Sequence, residues 1–297
     1  MGFSKASNLK TPYICKMQHP SDDMMKLYTL ARSYEDQGDA YHAVKLYKKA
    51  IKLMPDWSPP YARLGEFYKK RQEWKPAFHY NKKTIALDPT NKEAWWSMGI
   101  AATAMKKPKI AQRVWKKFGL QDKKWKLSCL RLNYDQSFEI LLMQPLSPAS
   151  GIILNIPHPK SDRRYKDIVL YDRKVAGYTV SNNKKIPIYD ELGLLKRSTF
   201  FTYSCVLPEA SETDIQKLSD LCQDDELGFE VWSNASRAMT LQPTDKPVEY
   251  YDNSIFPKAP TGAIVALASR SEQAVIRVLE TWQIITLQTY EELEVYH

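Results

Sequence analysis

Along the first 120 residues, apolar side chains return every three to four positions, the spacing that gathers them on one face of a helix. Six such stretches are predicted, roughly 22–37, 41–54, 58–71, 75–88, 92–105 and 108–119. Gly38 supplies a turn after the first, and Pro55 and Pro89 stop the second and the fourth. Beyond about 145 the period shortens. Ile152–Ile156, Asp167–Tyr171, Lys174–Val180 and Lys185–Tyr189 read as strands between Pro, Asn and Asp clusters, an antiparallel β-meander over 145–198. Pro145-Leu146-Ser147-Pro148 reads as a linker or turn, and Ser181-Asn182-Asn183-Lys184 as a hairpin turn. From 199 the order becomes strand, helix, strand, twice over. Thr199–Leu207 is followed by a helix opened by Ser211 and reaching about Cys222, then by Phe229–Trp232. Gly262–Ala268, a helix capped by Ser271 and running to about Trp282, and Ile284–Tyr290 make the second cycle. Two such units predict a ferredoxin-like domain over 199–297, with the proline-rich stretch 241–260 as an insertion between the halves.

The helical part repeats itself at a shift of 34. Leu53-Met54-Pro55 returns as Leu87-Asp88-Pro89. Leu30, Leu64 and Met98 correspond, as do Ala31, Gly65 and Gly99, and Ala43, Ala77 and Ala111. This pattern resembles the tetratricopeptide repeat (TPR), three times in register, with Asn81 and Thr84 departing from it in the second unit. The resemblance implies a solenoid of three helical hairpins over 22–132, preceded by a tail or cap at 1–21 and closed by a cap at Asp122–Leu132. The whole chain is then α+β: an all-α TPR array, the meander and the ferredoxin-like domain. The resemblance also implies that the first helix of each pair lines a concave groove. On this chain the groove would be lined by Tyr28 and Arg32, by Arg63, Glu66, Lys69 and Lys70, and by Trp96 and Ile100. Tyr28, Arg32, Glu93 and Ser97 stand where some TPR proteins carry residues that clamp a peptide's terminal carboxylate, so that mode is not implied. The run Tyr165–Asp172, followed by Val175–Tyr178, is similar to a segment found after TPRs in bacterial proteins of unknown function.

Charge sharpens the picture. The total of +9 hides a basic part, residues 1–200 with 37 Lys and Arg against 18 Asp and Glu, and an acidic part, 201–297 with 6 against 16. The two could dock on each other, or the basic part could attract an acidic protein. Much of the excess lies on the second helices of the repeats, at Lys45, Lys48, Lys49, Lys52, Lys82, Lys83, Lys109, Arg113, Lys116 and Lys117, as a solvated face or a basic stripe. Three repeats are short for an RNA-reading array, and nucleic acid is not the expected partner. No apolar run reaches the ~18 residues of a membrane span, and the first sixteen residues lack the apolar core of a secretion signal; a cytoplasmic, non-membrane protein is expected.

Candidate chemistry is sparse. Cys15, Cys129, Cys205 and Cys222 are scattered without metal-ligand or disulfide spacing, the acidic doublets lack a second cluster, and neither metal nor cofactor is expected. No Walker, HExxH, GxSxG or GxGxxG string occurs. Cys205 with His158 is the best nucleophile–base pair on offer, and nothing in its spacing supports it. The leading expectation is a non-enzymatic module that binds a protein partner with an acidic surface through the groove and the basic face, the C-terminal domain forming a second contact surface. Two alternatives are a bacterial immunity protein that blocks a toxin, and an enzyme whose activity lies in 145–297 and is recruited by the repeats.

Overall fold

A computed structural model of the chain describes residues 20–120, 124–134, 137–181, 184–234, 238–240 and 262–296. The expected N-terminal tail, the two central residues of the Ser181–Lys184 turn and the 241–260 insertion lie outside these. Six helices form three antiparallel hairpins: α1 (Asp22–Asp36) with α2 (Ala40–Leu53), α3 (Ser58–Lys70) with α4 (Trp74–Leu87), and α5 (Lys92–Ala104) with α6 (Pro108–Lys117). Ser21, Asp39 and Asn91 cap α1, α2 and α5 by accepting backbone N–H bonds from Met24, His42 and Ala94. The 34-residue shift has a direct packing meaning. A Cβ on Gly65 would come within 2.7 Å of the Asn81 side chain, and one on Gly99 within 2.4 Å of the Trp115 ring. Each small residue on a first helix therefore seats a side chain from the second, and Asn81 is the second unit's counterpart of Tyr47 and Trp115. Buried there, the Asn81 amide donates to the Ala77 carbonyl at 2.8 Å, which satisfies a polar group in an apolar seam.

The strands that follow close on themselves. β1 (Ser128–Tyr134), β2 (Ser137–Ser147), β3 (Ser150–Ile153), β4 (Ile168–Ser181) and β5 (Lys184–Lys196) pair each with the next, antiparallel. β5 then runs parallel to β1, with Cys129 opposite Ile188 and Arg131 opposite Asp190. An up-and-down meander of five strands leaves its first and last strands pointing the same way, so the closing seam has to be parallel. Leu130, Leu132, Leu141, Met143, Ile153, Val169, Tyr171 and Tyr189 form the buried interior of this barrel. Two expectations are corrected here. The meander begins at Ser128, so Leu127–Leu132 leads into a barrel strand instead of capping the solenoid; the third hairpin is covered by the barrel, through Ala149, Leu170, Leu192 and Leu195. Pro145 and Ser147 lie in β2, at an irregularity of its ladder with β3, a position that tolerates a residue with no N–H.

The C-terminal unit runs β6 (Phe201–Leu207), α7 (Glu212–Asp224), β7 (Gly228–Val231), then β9 (Ala263–Ser269), α8 (Glu272–Thr286) and β10 (Glu291–Tyr296). Its sheet has the order β10-β6-β9-β7 with every described pair antiparallel. Leu218 and Cys222 of α7 and Val275, Leu279 and Trp282 of α8 pack on Tyr203, Cys205, Leu207, Val265 and Leu267, so both helices cover one face. The other face meets the barrel's β3–β4 connection at Ile156, Tyr165, Trp232, Ala266 and Ala268. Polar ties fix that junction: Asn155 Nδ2 and the Ile156 N–H donate to Glu230 at 2.7 and 2.9 Å, and the Trp232 indole donates to the Ile156 carbonyl at 3.2 Å. Between β7 and β9, β8 (Ala238–Thr240) crosses back to the barrel and pairs with the start of β2. The last strand departs from expectation. Ile284-Ile285-Thr286 continues α8, and the strand starts only at Glu291.

Candidate functional site: a half-filled groove

The residues expected to line the groove separate into two groups. At the α5 end, Ile100 has no exposed surface and Trp96 stacks edge-on against Trp115 and Phe118, ring centroids 5.1 and 5.4 Å apart. Both belong to the cluster that the barrel's Leu170, Leu192 and Leu195 complete. Asp172 of β4 reaches into the same place. Its carboxylate takes an ion pair from Lys69 Nζ at 2.8 Å and a hydrogen bond from the Trp96 indole at 3.0 Å. The Lys69 side chain is only 13% exposed, and Glu66 stands 3.5 Å away on its other side. Burial pulls the Lys69 ammonium down, but Asp172 and then Glu66 outweigh it and hold its pKa above the ordinary lysine value. Lys69, Trp96 and Ile100 are therefore engaged by the chain itself and offer nothing to another molecule.

At the α1 end the expected groove residues are tied to one another within the array. Arg63 forks onto Glu35, Nε to Oε2 at 3.1 Å and Nη2 to Oε1 at 2.7 Å, and the Tyr47 phenol donates to the same carboxylate at 2.7 Å. Burial, and then the Glu35 carboxylate, push the Tyr47 phenol up. This triad locks the first hairpin to the second, so Arg63 is a positioning residue. Tyr28, half-buried, sits edge-on to Trp57 with ring centroids 5.1 Å apart and 5.8 Å from the Tyr47 ring. Arg32 and Lys70 are exposed and pair with no acid among the described residues. Among the described residues this end presents two exposed cations without an acidic partner and a half-covered tyrosine, with Glu66 beside Lys69.

The cysteine–histidine pair fares differently. His158 and Cys205 line one small cavity of about 180 Å³. Cys205 is 1% exposed, and burial pushes its thiol up to about 12, so it is a protonated core residue at neutral pH. Among the described residues no three His, Cys, Asp or Glu side chains are grouped to hold a metal ion, and no helix is long and apolar enough to cross a membrane.

The helical hairpins are similar to parts of several solved structures. MamA aligns at 23% identity over 32% of this chain and 51% of its own, with a TM-score of 0.31, so the match spans about half of that protein. The first TPR of Spaghetti (RPAP3), solved with the HSP90 peptide SRMEEVD, aligns at 19% identity over 33% of this chain and 78% of its own, TM-score 0.31. The Sgt2 TPR domain from Aspergillus fumigatus aligns at 20% identity over 33% and 65%, TM-score 0.30. No protein-family model and no curated protein matches the chain.

Proposed function

We propose that this chain is a protein-binding module that holds an acidic segment of a partner protein at the α1–α3 end of its groove. The observation that carries the reading is an asymmetry among the expected groove residues: the barrel takes the α5 end, while among the described residues Arg32 and Lys70 stay exposed and unpaired at the other. Asp172 serves as an internal example of what this surface accepts, a carboxylate between a lysine and an indole N–H with leucines beside it. A partner segment that alternates acidic and apolar residues would continue the same chemistry toward Tyr28. The exposed lysines of α2, α4 and α6, among them Lys49, Lys83 and Lys116, pair with no described acid and would steer such a partner. The sheet order β10-β6-β9-β7 supports a ferredoxin-like reading of the C-terminal unit, whose acidic edge strand β10 is the natural second contact surface. A bacterial, cytoplasmic setting belongs to the same proposal, on the resemblance of the 165–178 segment.

Charge reversal tests it. The variant Arg32→Glu/Lys70→Glu should bind a captured, crosslinked partner about tenfold more weakly at low salt and with a shallower salt dependence, while unfolding at the wild-type temperature. Binding that matches wild type at both low and high salt sinks the groove assignment. Recovery of one stoichiometric partner whose own activity is blocked would refine the reading to an immunity-type inhibitor, and a spread of weak partners to a scaffold.

A further inference from the structure

A cation-rich cleft lies where the barrel meets the C-terminal unit. It encloses about 760 Å³, within the ~300–1,000 Å³ usual for small-molecule sites, and it sits at a junction of two units, where such sites concentrate. Three strand ends meet there. Phe200 precedes β6, Arg270 follows β9, and Leu227 precedes β7, while the barrel contributes Lys166 ahead of β4 and Lys196 at the end of β5.

Its charge is one-sided. Arg197 is neutralised by Asp162 at 3.1 Å, but Lys166, Lys196 and Arg270 pair with no carboxylate among the described residues, and Glu226 is the acid on the wall. Arg270 is one of only six basic residues in the acidic region 201–297, and it is placed here. Two of the cations are held in position by aromatic faces, Lys166 over the Tyr165 ring at 4.8 Å and Arg270 over the Phe200 ring at 4.7 Å. The two rings meet edge to face at 5.3 Å, so the cations share one aromatic mount. A Cβ on Gly228 would come within 3.1 Å of Tyr165, so the bare backbone of β7 gives that ring room. Cations ordered in advance lose less freedom on binding an anion. The rest of the wall is of two kinds: Ile152, Leu154 and Phe229 are apolar, and Ser198, Thr199 and Gln223 carry hydrogen-bonding groups.

We infer that this cleft binds a nucleoside phosphate, with its phosphoryl groups on Lys166, Lys196 and Arg270 and its base on the apolar wall. Three uncompensated cations call for a ligand with more than one negative charge, and the apolar and hydroxyl-bearing walls call for a flat organic body with polar edges. A nucleoside phosphate can arrive free or as the phosphorylated end of a nucleic acid, and the chemistry at the cleft is the same.

Titration calorimetry on the full chain at low salt tests it, with the four ribonucleoside triphosphates, adenosine and a 5′-phosphorylated oligonucleotide as probes. At least one triphosphate should bind saturably, and adenosine at least about tenfold more weakly than ATP if ATP is the one bound. In Lys196→Gln/Arg270→Gln the affinity should fall by about tenfold or more with little change in unfolding temperature, since neither side chain holds an ion pair among the described residues. The equally charged control Lys160→Gln/Lys174→Gln, exposed residues outside the cleft, should bind as wild type. Competition by the oligonucleotide identifies a nucleic-acid end as the source, and its failure beside a triphosphate that binds identifies the free nucleotide; both support the site. Absence of saturable binding by every triphosphate, or equal weakening in the cleft variant and the control, overturns it.

Discussion

Cys129, Cys205 and Cys222 are all buried; burial alone pushes the first up to about 11 and the second up to about 12, and burial, as the leading cause, pushes the third up to about 12. The thiolate is the reactive species, so these three are inert at neutral pH. With a thiol-specific disulfide reagent at pH 8 they should react on the order of a hundredfold more slowly in the folded chain than in denaturant, where all three are released. A native Cys205 that reacts at the denatured rate would return it to the list of candidate nucleophiles. The same residue shows what the chain discloses about itself at this scale. Its place in an apolar β-run already marked it as core, and the residues at 47, 81 and 115 could be lined up by counting. The Asp172 contact could not. Lys69 and Trp96 are 103 and 76 positions from their common partner, and no local pattern reports a pairing made across two units.

Elements were legible where their signals were local. The six helices fall within a few residues of the predicted stretches, because the amphipathic rows and the caps at Asp39 and Asn91 are written within each turn. The misread at Ile284-Ile285-Thr286 has the opposite cause. β-branched side chains favour strands only weakly, and the row Val275, Val278–Leu279 and Trp282, buried on the sheet, holds α8 in register past them. The helix stops only at Leu287, which adopts a left-handed conformation with φ 57° while leaving its side chain 89% exposed. That conformation costs a side-chain-bearing residue energy that glycine does not spend. Leu287→Gly should therefore stabilise the chain by about 0.5–1 kcal/mol, read as a higher denaturant midpoint with an unchanged slope. A lower midpoint would mean that Leu287 has a contact partner the fold does not display.

For the molecule as a whole, the barrel does two jobs: it seals the solenoid's last hairpin and it carries the C-terminal sheet. Asp172 is the polar part of that seal. Asp172→Asn would leave Lys69, 13% exposed, without its strongest counter-charge, and should cost about 1–3 kcal/mol in equilibrium unfolding. If the seal is as described, Lys69→Met in the same background should recover part of that loss by removing the stranded ammonium. A variant as stable as wild type would show that the leucines hold the junction alone. The barrel was the part least legible in advance, since its closing seam joins residues about sixty positions apart and its first strand fell in the stretch read as a cap on the array.

That parallel seam between β1 and β5 also sets an order of events during synthesis. The hairpins of the array need only neighbouring residues and can assemble as they leave the ribosome, whereas no barrel exists until residues 188–190 have emerged to meet 129–131. Throughout that interval Trp96, Ile100 and Trp115 wait with their cover still unmade. A nascent chain stalled once Leu120 has emerged should recruit a hydrophobic-binding chaperone, and one stalled once Lys196 has emerged should let it go.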